Sequence, residues 1–398
     1  MSKVACPYCY HRINPGKLVF QCTGRAAVGR DRCPKRPDED RIRLTGYTGP
    51  AGPTFEFSES PATVGKRLAQ CPGCHVQTGV RACPVCHTPL PANFADNRSP
   101  LIGMVGGKNA GKTVYTTVLA HELRNKIRRR FAADIWFAGD QQGDAASVSG
   151  WLAAYEQSLF SDSTLFEQTP AAKGGLKVPL VLQWRQPRRR LGVETHSTTT
   201  LSFYDAAGED MTTQDFVNGQ AYLSSADGLI VLLDPFQLPG APDRITVPDG
   251  ARQESERPFT VLARITELLR SSHGTSGRGK ISVPIAVVFA KFDAFFDLLG
   301  GEHPVLRAPD PNPYYDETSG RDTDDHLRAL LADLGADDID AHLRAHYKRY
   351  RYFAVSSLGA PPDYASRRVD AGGVRPFRVD EPLLWLLGLF RVVETRGR

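Results

Sequence analysis

Residues 101–113 read LIGMVGGKNAGKT, and within them Gly106-x-x-x-x-Gly111-Lys112-Thr113 has the spacing of a phosphate cradle. Glycines let successive backbone N–H groups curl around a phosphate without Cβ clashes, so the backbone of Gly106, Lys108, Asn109, Ala110, Gly111 and Val114 is the candidate grip. Lys112 can reach β and γ phosphates, and the Thr113 hydroxyl can ligate Mg²⁺. A second chemistry sits in the first 86 residues, which hold all eight cysteines: Cys6-x-x-Cys9, Cys22, Cys33, Cys71-x-x-Cys74 and Cys83-x-x-Cys86. Paired CxxC knuckles present thiolates tetrahedrally to Zn²⁺, and four thiolates close the coordination, which marks a structural site. The spacing favours one site from Cys6, Cys9, Cys22 and Cys33 and another from Cys71, Cys74, Cys83 and Cys86, with an arrangement mixing the two sets left open. Segments this short bury too little core to fold unaided, and metal would supply the missing stability.

These residues need elements to hold them. Leu101–Val105 is a buried-strand run and VYTTVLAHELRNKI (114–127) has helical periodicity, so the phosphate loop falls between strand and helix. Further strands follow: LKVPLVLQW (176–184), TTTLSFYD (198–205), DGLIVLLDP (227–235), VPIAVVFAKFD (283–293) and YFAVSSLG (352–359). The reading is an α/β fold of the P-loop NTPase type, a doubly wound, mostly parallel sheet with 176–184 as an antiparallel edge strand, and nucleotide at the strands' C-terminal ends. The strand beside the phosphate loop ends in Asp205, placed for Mg²⁺, and Gly208 can offer a bare N–H to the γ-phosphate. The organisation expected is a first zinc-knuckle module at 1–45, a linker with short strands at 46–70, a second ribbon at 71–92 and the nucleotide domain at 99–398. Insertions are expected at about 130–176 and 294–325, a linker at 89–100 and an amphipathic terminal helix at 380–393.

Composition adds bounds. At 398 residues, 41% hydrophobic and 23% charged, the chain reads as globular. It has no run of 18 apolar residues and its first ten residues, MSKVACPYCY, form no apolar h-region, so neither a secretory signal nor membrane contact is expected and the cytoplasm is the expected address. The net charge of +5 is too mild to imply nucleic acid, and contact through the zinc ribbons has only weak support. Arg128–Arg130 and Arg188–Arg190 read as solvated helix and hairpin faces, with contact to nucleic acid or an anionic surface the alternative.

Taken together, GxxxxGKT (106–113), DAAG (205–208), AKFD (290–293) and VSSLG (355–359) resemble the motifs of translation-factor-like and Ras-like P-loop GTPases. With cysteine knuckles ending in CPVCHTPLP and the segment RPFRVDEPLLWLL (375–387), the chain is similar to the bacterial double-GTPase family, which is associated with conflict and defence systems. The resemblance implies GTP with Mg²⁺ held by Thr113 and Asp205, and Lys291 flanking the base. It implies that Asp293 accepts from guanine N1 and N2, and that Ser356 and Ser357 lie at the guanine oxygen. It also implies a water-orienting position at Glu209, where many members carry Gln or His, and a switch threonine at Thr169, with Thr164 the other candidate. Ala290 replaces the usual Asn or Thr. The expectation is a regulatory GTPase with slow turnover and a protein partner; the alternatives are a nucleotide-gated adaptor with little turnover, or an ATPase.

Overall fold

The computed structural model describes residues 3–25, 27–56, 68–92, 94–96, 98–137, 148–165, 179–190, 193–205, 221–248, 256–272 and 279–397. At its centre lies a seven-stranded sheet. In chain order the strands are β1 (Leu101–Gly106), β2 (Asp134–Phe137), β3 (Leu180–Arg190), β4 (Val193–Asp205), β5 (Gly228–Leu233), β6 (Ile285–Phe289) and β7 (Tyr350–Ala354). Their spatial order is β7-β6-β5-β1-β4-β3-β2. Pairs from β7 across to β4 are parallel, and β3 runs antiparallel to both of its neighbours.

Sequence explains the middle of this sheet. Every residue of β1, β5 and β6 is buried, as continuous apolar runs covered on both faces must be. Alternation divides their side chains between two cores. Leu229, Val231 and Leu233 face one core, with α3 (Pro258–Ser272), α4 (Glu317–Asp333) and α5 (Asp337–His346). Ile230 and Leu232 face the other, with α1 (Lys112–Glu122), α2 (Val148–Glu156) and α6 (Glu381–Leu389). Burying each Leu or Ile in these layers contributes roughly 1.5–3 kcal/mol, which holds the strand ends in fixed register.

Several expectations are corrected. The antiparallel strand is not the edge, because Asp134–Phe137 pairs outside it; four residues, with Ile135 buried and Trp136 exposed, are too few to show a period. Residues 89–100 are not a free linker: Leu90 and Phe94 are buried against Cys83 and Cys86, and Arg98 bridges to Thr199. In the second insertion, α4 begins at Glu317, because Asp316 caps it by accepting from the backbone N–H of Thr318 and Ser319. The terminal helix is short and covered, not amphipathic: Glu381–Leu387 are all buried, and the chain after it pairs Thr395–Arg396 with Tyr315–Asp316. Among the described residues no helix is long and apolar enough to cross a membrane.

The cysteine-bearing segments form small antiparallel pairs. Val19–Gln21 lies between Thr54–Phe55 and Arg81–Ala82, which ties the first cysteine set to the second. The assembly docks on the sheet where the strands begin. Ser202 of β4, paired with the first residue of β1, donates to Pro7 O at 3.0 Å, and Ser225, just before β5, donates to Tyr10 O at 2.9 Å. The Tyr10 and Tyr222 rings meet edge to face at 4.8 Å.

Candidate functional site at the carboxyl ends of the strands

The phosphate loop leaves β1 at Gly106 and enters α1 at Lys112. Asn109 (φ +59°) and Gly111 (φ +85°) are both left-handed, and this curls the loop. At Gly106 a Cβ would lie 3.0 Å from Leu232 O on the neighbouring strand, so a side chain there would press on the sheet backbone. Ala110 points its methyl into the core and can serve only through its backbone. Lys112 reaches back under the loop, donating to Gly106 O at 2.9 Å and Gly107 O at 2.8 Å. Lys108, Gly111, Lys112, Thr113 and Val114 are half-buried and Asn109 is exposed, so the loop stays open to a ligand. Thr113 sits in the first turn of α1, the place from which a hydroxyl can meet a metal at a phosphate.

Register brings the other strand ends to the same edge. Gly106 pairs with Leu232 of β5; Leu233 pairs with Phe289 of β6; Phe289 pairs with Ala354 of β7. On the other side Asp205 ends β4 and pairs with Met104 of β1. The Asp205 backbone is therefore at the expected edge, while its side chain is among those not described, and Gly208, Glu209 and Thr169 lie outside the described residues. Thr164 is held elsewhere: its hydroxyl lies 3.0 Å from Ser158 Oγ, and its backbone bridges to Arg368.

The segment after β6 turns sharply at Lys291 (φ +51°). Its ammonium donates to Asp234 Oδ2 at 2.8 Å and lies 5.1 Å from the Phe236 ring centre. Two residues on, Asp293 accepts from Ser356 Oγ at 2.5 Å, and Ser356 Oγ accepts from Gly359 N at 2.8 Å. Burial raises the Asp293 carboxyl above its usual range, against the bond from Ser356 and the charge of Lys291. Ser356 is fully buried and Ser357 half-buried. Gly359 (φ +84°) is obligatory, since a Cβ would fall 2.0 Å from Arg375 O. Tyr364 is also close: burial, then the charges of Asp293 and Asp234, push its phenol up. The structure thus joins Lys291, Asp293 and Ser356 into one group. It adds Asp234 and Tyr364, which the motif reading passed over. An Asp-Pro after an apolar strand (LLDP, 232–235) was the available signal for Asp234.

A second candidate site lies at the opposite ends of the strands. The eight thiols form two interleaved groups, Cys6/Cys9/Cys83/Cys86 and Cys22/Cys33/Cys71/Cys74, with all sulfurs of a group within 4.8 Å of one another. This replaces grouping within each sequence set by the mixed arrangement. Sulfurs lie 3.9 Å apart in Cys6–Cys86, 3.8 Å in Cys9–Cys83, 3.4 Å in Cys22–Cys74 and 3.7 Å in Cys33–Cys71. Four thiolates about 2.3 Å from a zinc ion stand about 3.8 Å apart, so both groups fit a tetrahedral metal. Three knuckles repeat one backbone pattern. The first cysteine N–H bonds five residues ahead, to His11, Val76 or Thr88, and its C=O accepts from a left-handed residue, Tyr10, His75 or His87. Burial drives the Cys6 thiol well above its ordinary range, while bonds from Cys6, Cys86 and Cys9 hold Cys83 well below it. Of the basic runs, Arg130 is engaged by Asp380 at 2.9 Å.

Over 99% of its length the chain is 26% identical to the full length of a Mycolicibacterium smegmatis protein named "Putative ESX-1 scaffolding and assembly protein SaeC". Among solved structures it is similar to the Saccharomyces cerevisiae Ski7 GTPase-like domain bound to GTP, at TM-score 0.30 and 10% identity over 65% of this chain. Another is Sup35 complexed with GDP, at TM-score 0.22 and 12% identity over 71% of this chain. A third is the putative nucleolar GTP-binding protein 1 of Plasmodium falciparum, at TM-score 0.25 and 10% identity over 76% of this chain and 91% of that one. The chain spans only 43% and 42% of the first two. The family model described as Double-GTPase 2 matches residues 100–342, from the first strand of the sheet to within α5 and more than half of the chain. The chain carrying this phosphate loop and these strand ends belongs to the Double-GTPase 2 family.

Proposed function

We propose that this protein is a GTP-binding switch that hydrolyses GTP slowly and passes its nucleotide state to a protein partner. The observation that carries the reading is the alignment of Lys112 in the phosphate loop with the Asp293–Ser356 pair on one sheet edge. Lys112 and the loop N–H groups would take the phosphates. Asp293 would accept two hydrogen bonds from guanine, an edge that adenine does not present, which argues against an ATPase. Thr113 and Asp205 would hold Mg²⁺, which neutralises phosphate charge when bound. Thr169 is the proposed switch threonine, and Glu209 would orient the attacking water while repelling the γ-phosphate, which is the reason for slow turnover. The two cysteine groups would each hold one zinc and brace the N-terminal module, leaving no ligand position open for catalysis.

A second reading, a nucleotide-gated adaptor with little turnover, draws on the scaffolding and assembly role in the name of the M. smegmatis relative. That role and the conflict or defence setting implied by the family resemblance both call for a protein partner. Titration of mant-GTP against mant-ATP, followed by single-turnover hydrolysis with and without candidate partners, separates the readings. Tight GTP binding with slow phosphate release, quickened by a partner, is expected. Equal or tighter ATP binding overturns the guanine assignment, and no phosphate under any condition leaves the adaptor.

A further inference from the structure

Asp234 follows β5 directly, and its side chain is 4% exposed. A carboxylate taken so far from water must be partnered, and both of its oxygens are. Oδ1 accepts from the Phe236 N–H at 3.1 Å, and Oδ2 accepts from the Lys291 ammonium at 2.8 Å. Lysine is a long, flexible side chain with a point charge, and left alone at a strand end it would sample many rotamers. Here it is fixed at both ends: a left-handed backbone aims it, and Asp234 with the Phe236 ring receives its tip. Asp293 is held from the other side, by Ser356 just beyond β7. The base loop after β6 is thus braced from both neighbouring strands. The first residue of that loop, Ala290, contributes a buried methyl and a backbone bond to Leu233 O, with no side chain to secure the loop further.

We propose that Asp234 is a positioning residue for base recognition: it holds Lys291 at the edge of the base site, supplying the anchorage that Ala290 lacks. The inference rests on residues 290–293 being the base loop, and it goes beyond that reading by assigning a role to a residue outside every nucleotide motif. Asp234 touches neither phosphate nor base, so its effect is confined to ligands that carry a base.

The experiment measures binding of GTP and of magnesium tripolyphosphate to the full chain, by calorimetry, in wild type, Asp234→Asn and Asp293→Asn. Asparagine at 234 can still accept from Phe236 N–H, so the turn is retained, and thermal melting without nucleotide monitors the fold. Loss of the charge on a buried lysine partner is expected to weaken GTP about tenfold, with tripolyphosphate affinity unchanged. Equal weakening of GTP and tripolyphosphate overturns the proposal, because Asp234 then supports the fold alone. Unchanged GTP affinity in Asp234→Asn, with a clear loss in Asp293→Asn, also overturns it while leaving the base loop intact. Unchanged GTP affinity in Asp293→Asn overturns the base-loop reading itself.

Discussion

At the carboxyl ends of the strands, Lys112, Asp234, Asp293 and Ser356 arrive from four separate stretches of chain and need only the sheet to bring them together. At the amino ends, eight cysteines arrive on segments of two or three paired residues, and apart from the thiols their cores amount to a few side chains such as Ile13, Leu18, Leu90 and Phe94. One end borrows rigidity from two large apolar layers. The other must make its own, by cross-linking distant segments through groups of four sulfurs. The difference teaches where each end is vulnerable. On the proposed function, the carboxyl end should be lost by single polar substitutions that leave the fold intact, whereas the cysteine end should be lost as a unit.

The largest effect is therefore expected from metal. Purified protein should carry two zinc ions per chain, and strong chelation should unfold the N-terminal module, since structural zinc supplies on the order of 10 kcal/mol to such folds. Interleaving makes a sharper demand. Cys6→Ser and Cys83→Ser should remove the same ion, and the double variant no more than either, while Cys71→Ser removes the other. Metal counts showing that Cys83 and Cys71 share an ion would restore the grouping by sequence neighbours. Next in size is Lys112→Ala, which removes the charged donor beneath the phosphate loop. It should weaken GTP about 100-fold, at about 3 kcal/mol for a charged hydrogen bond, with only a small drop in the melting temperature of the nucleotide-free protein from the lost bonds to Gly106 O and Gly107 O.

The contrast also governs what the sequence made legible. The phosphate loop, the strand ends and the antiparallel strand could be read because each is a local pattern: a glycine spacing, an apolar run, a motif. Ser356 and Asp293 could be assigned to one site by resemblance, but their side-chain bond could not, since 63 residues separate them and only the β6–β7 pairing closes the gap. Asp234 was missed for a similar reason: alone it reads as a strand end followed by proline. The cysteines were legible as ligands and not as partners, because spacing favours neighbours, whereas the pairing of Val19–Gln21 with Arg81–Ala82 carries the first set to the second. The extra strand Asp134–Phe137 and the buried terminal helix reflect tertiary cover that no local period encodes.

A smaller effect should come from Asp293→Asn. An amide accepts one guanine donor and opposes the other, so GTP should weaken about tenfold while xanthosine triphosphate gains. The carboxyl also gives a pH signature. Its folded pKa is raised by burial, so ionising it in the free protein works against the fold as pH rises from the ordinary aspartate value, about 3.9, through the raised one. In the proposed role Asp293 would meet guanine in its ionised form. GTP affinity should thus fall on acidification at a pH above the ordinary aspartate range, and Asp293→Asn should abolish that dependence. A pH profile identical in wild type and variant would show that another group titrates.

The least effect is expected from Glu209→Gln, and it has the opposite sign. A carboxylate near the γ-phosphate position orients water but adds repulsion, and at an effective dielectric of 20 two charges about 5 Å apart cost about 3 kcal/mol before screening. Glutamine keeps the hydrogen-bonding geometry and removes the charge. Single-turnover hydrolysis should therefore quicken several-fold, with GTP binding slightly tighter and no change in zinc content. No zinc effect is expected because Asp205, the last residue of β4 before the segment that carries Glu209, pairs with Met104 towards the phosphate loop, whereas the cysteine module contacts β4 at Ser202, which pairs with the first residue of β1. If Glu209→Gln instead slowed hydrolysis, the carboxylate would be acting chiefly as an acceptor for the attacking water, and slow turnover would need a source other than repulsion.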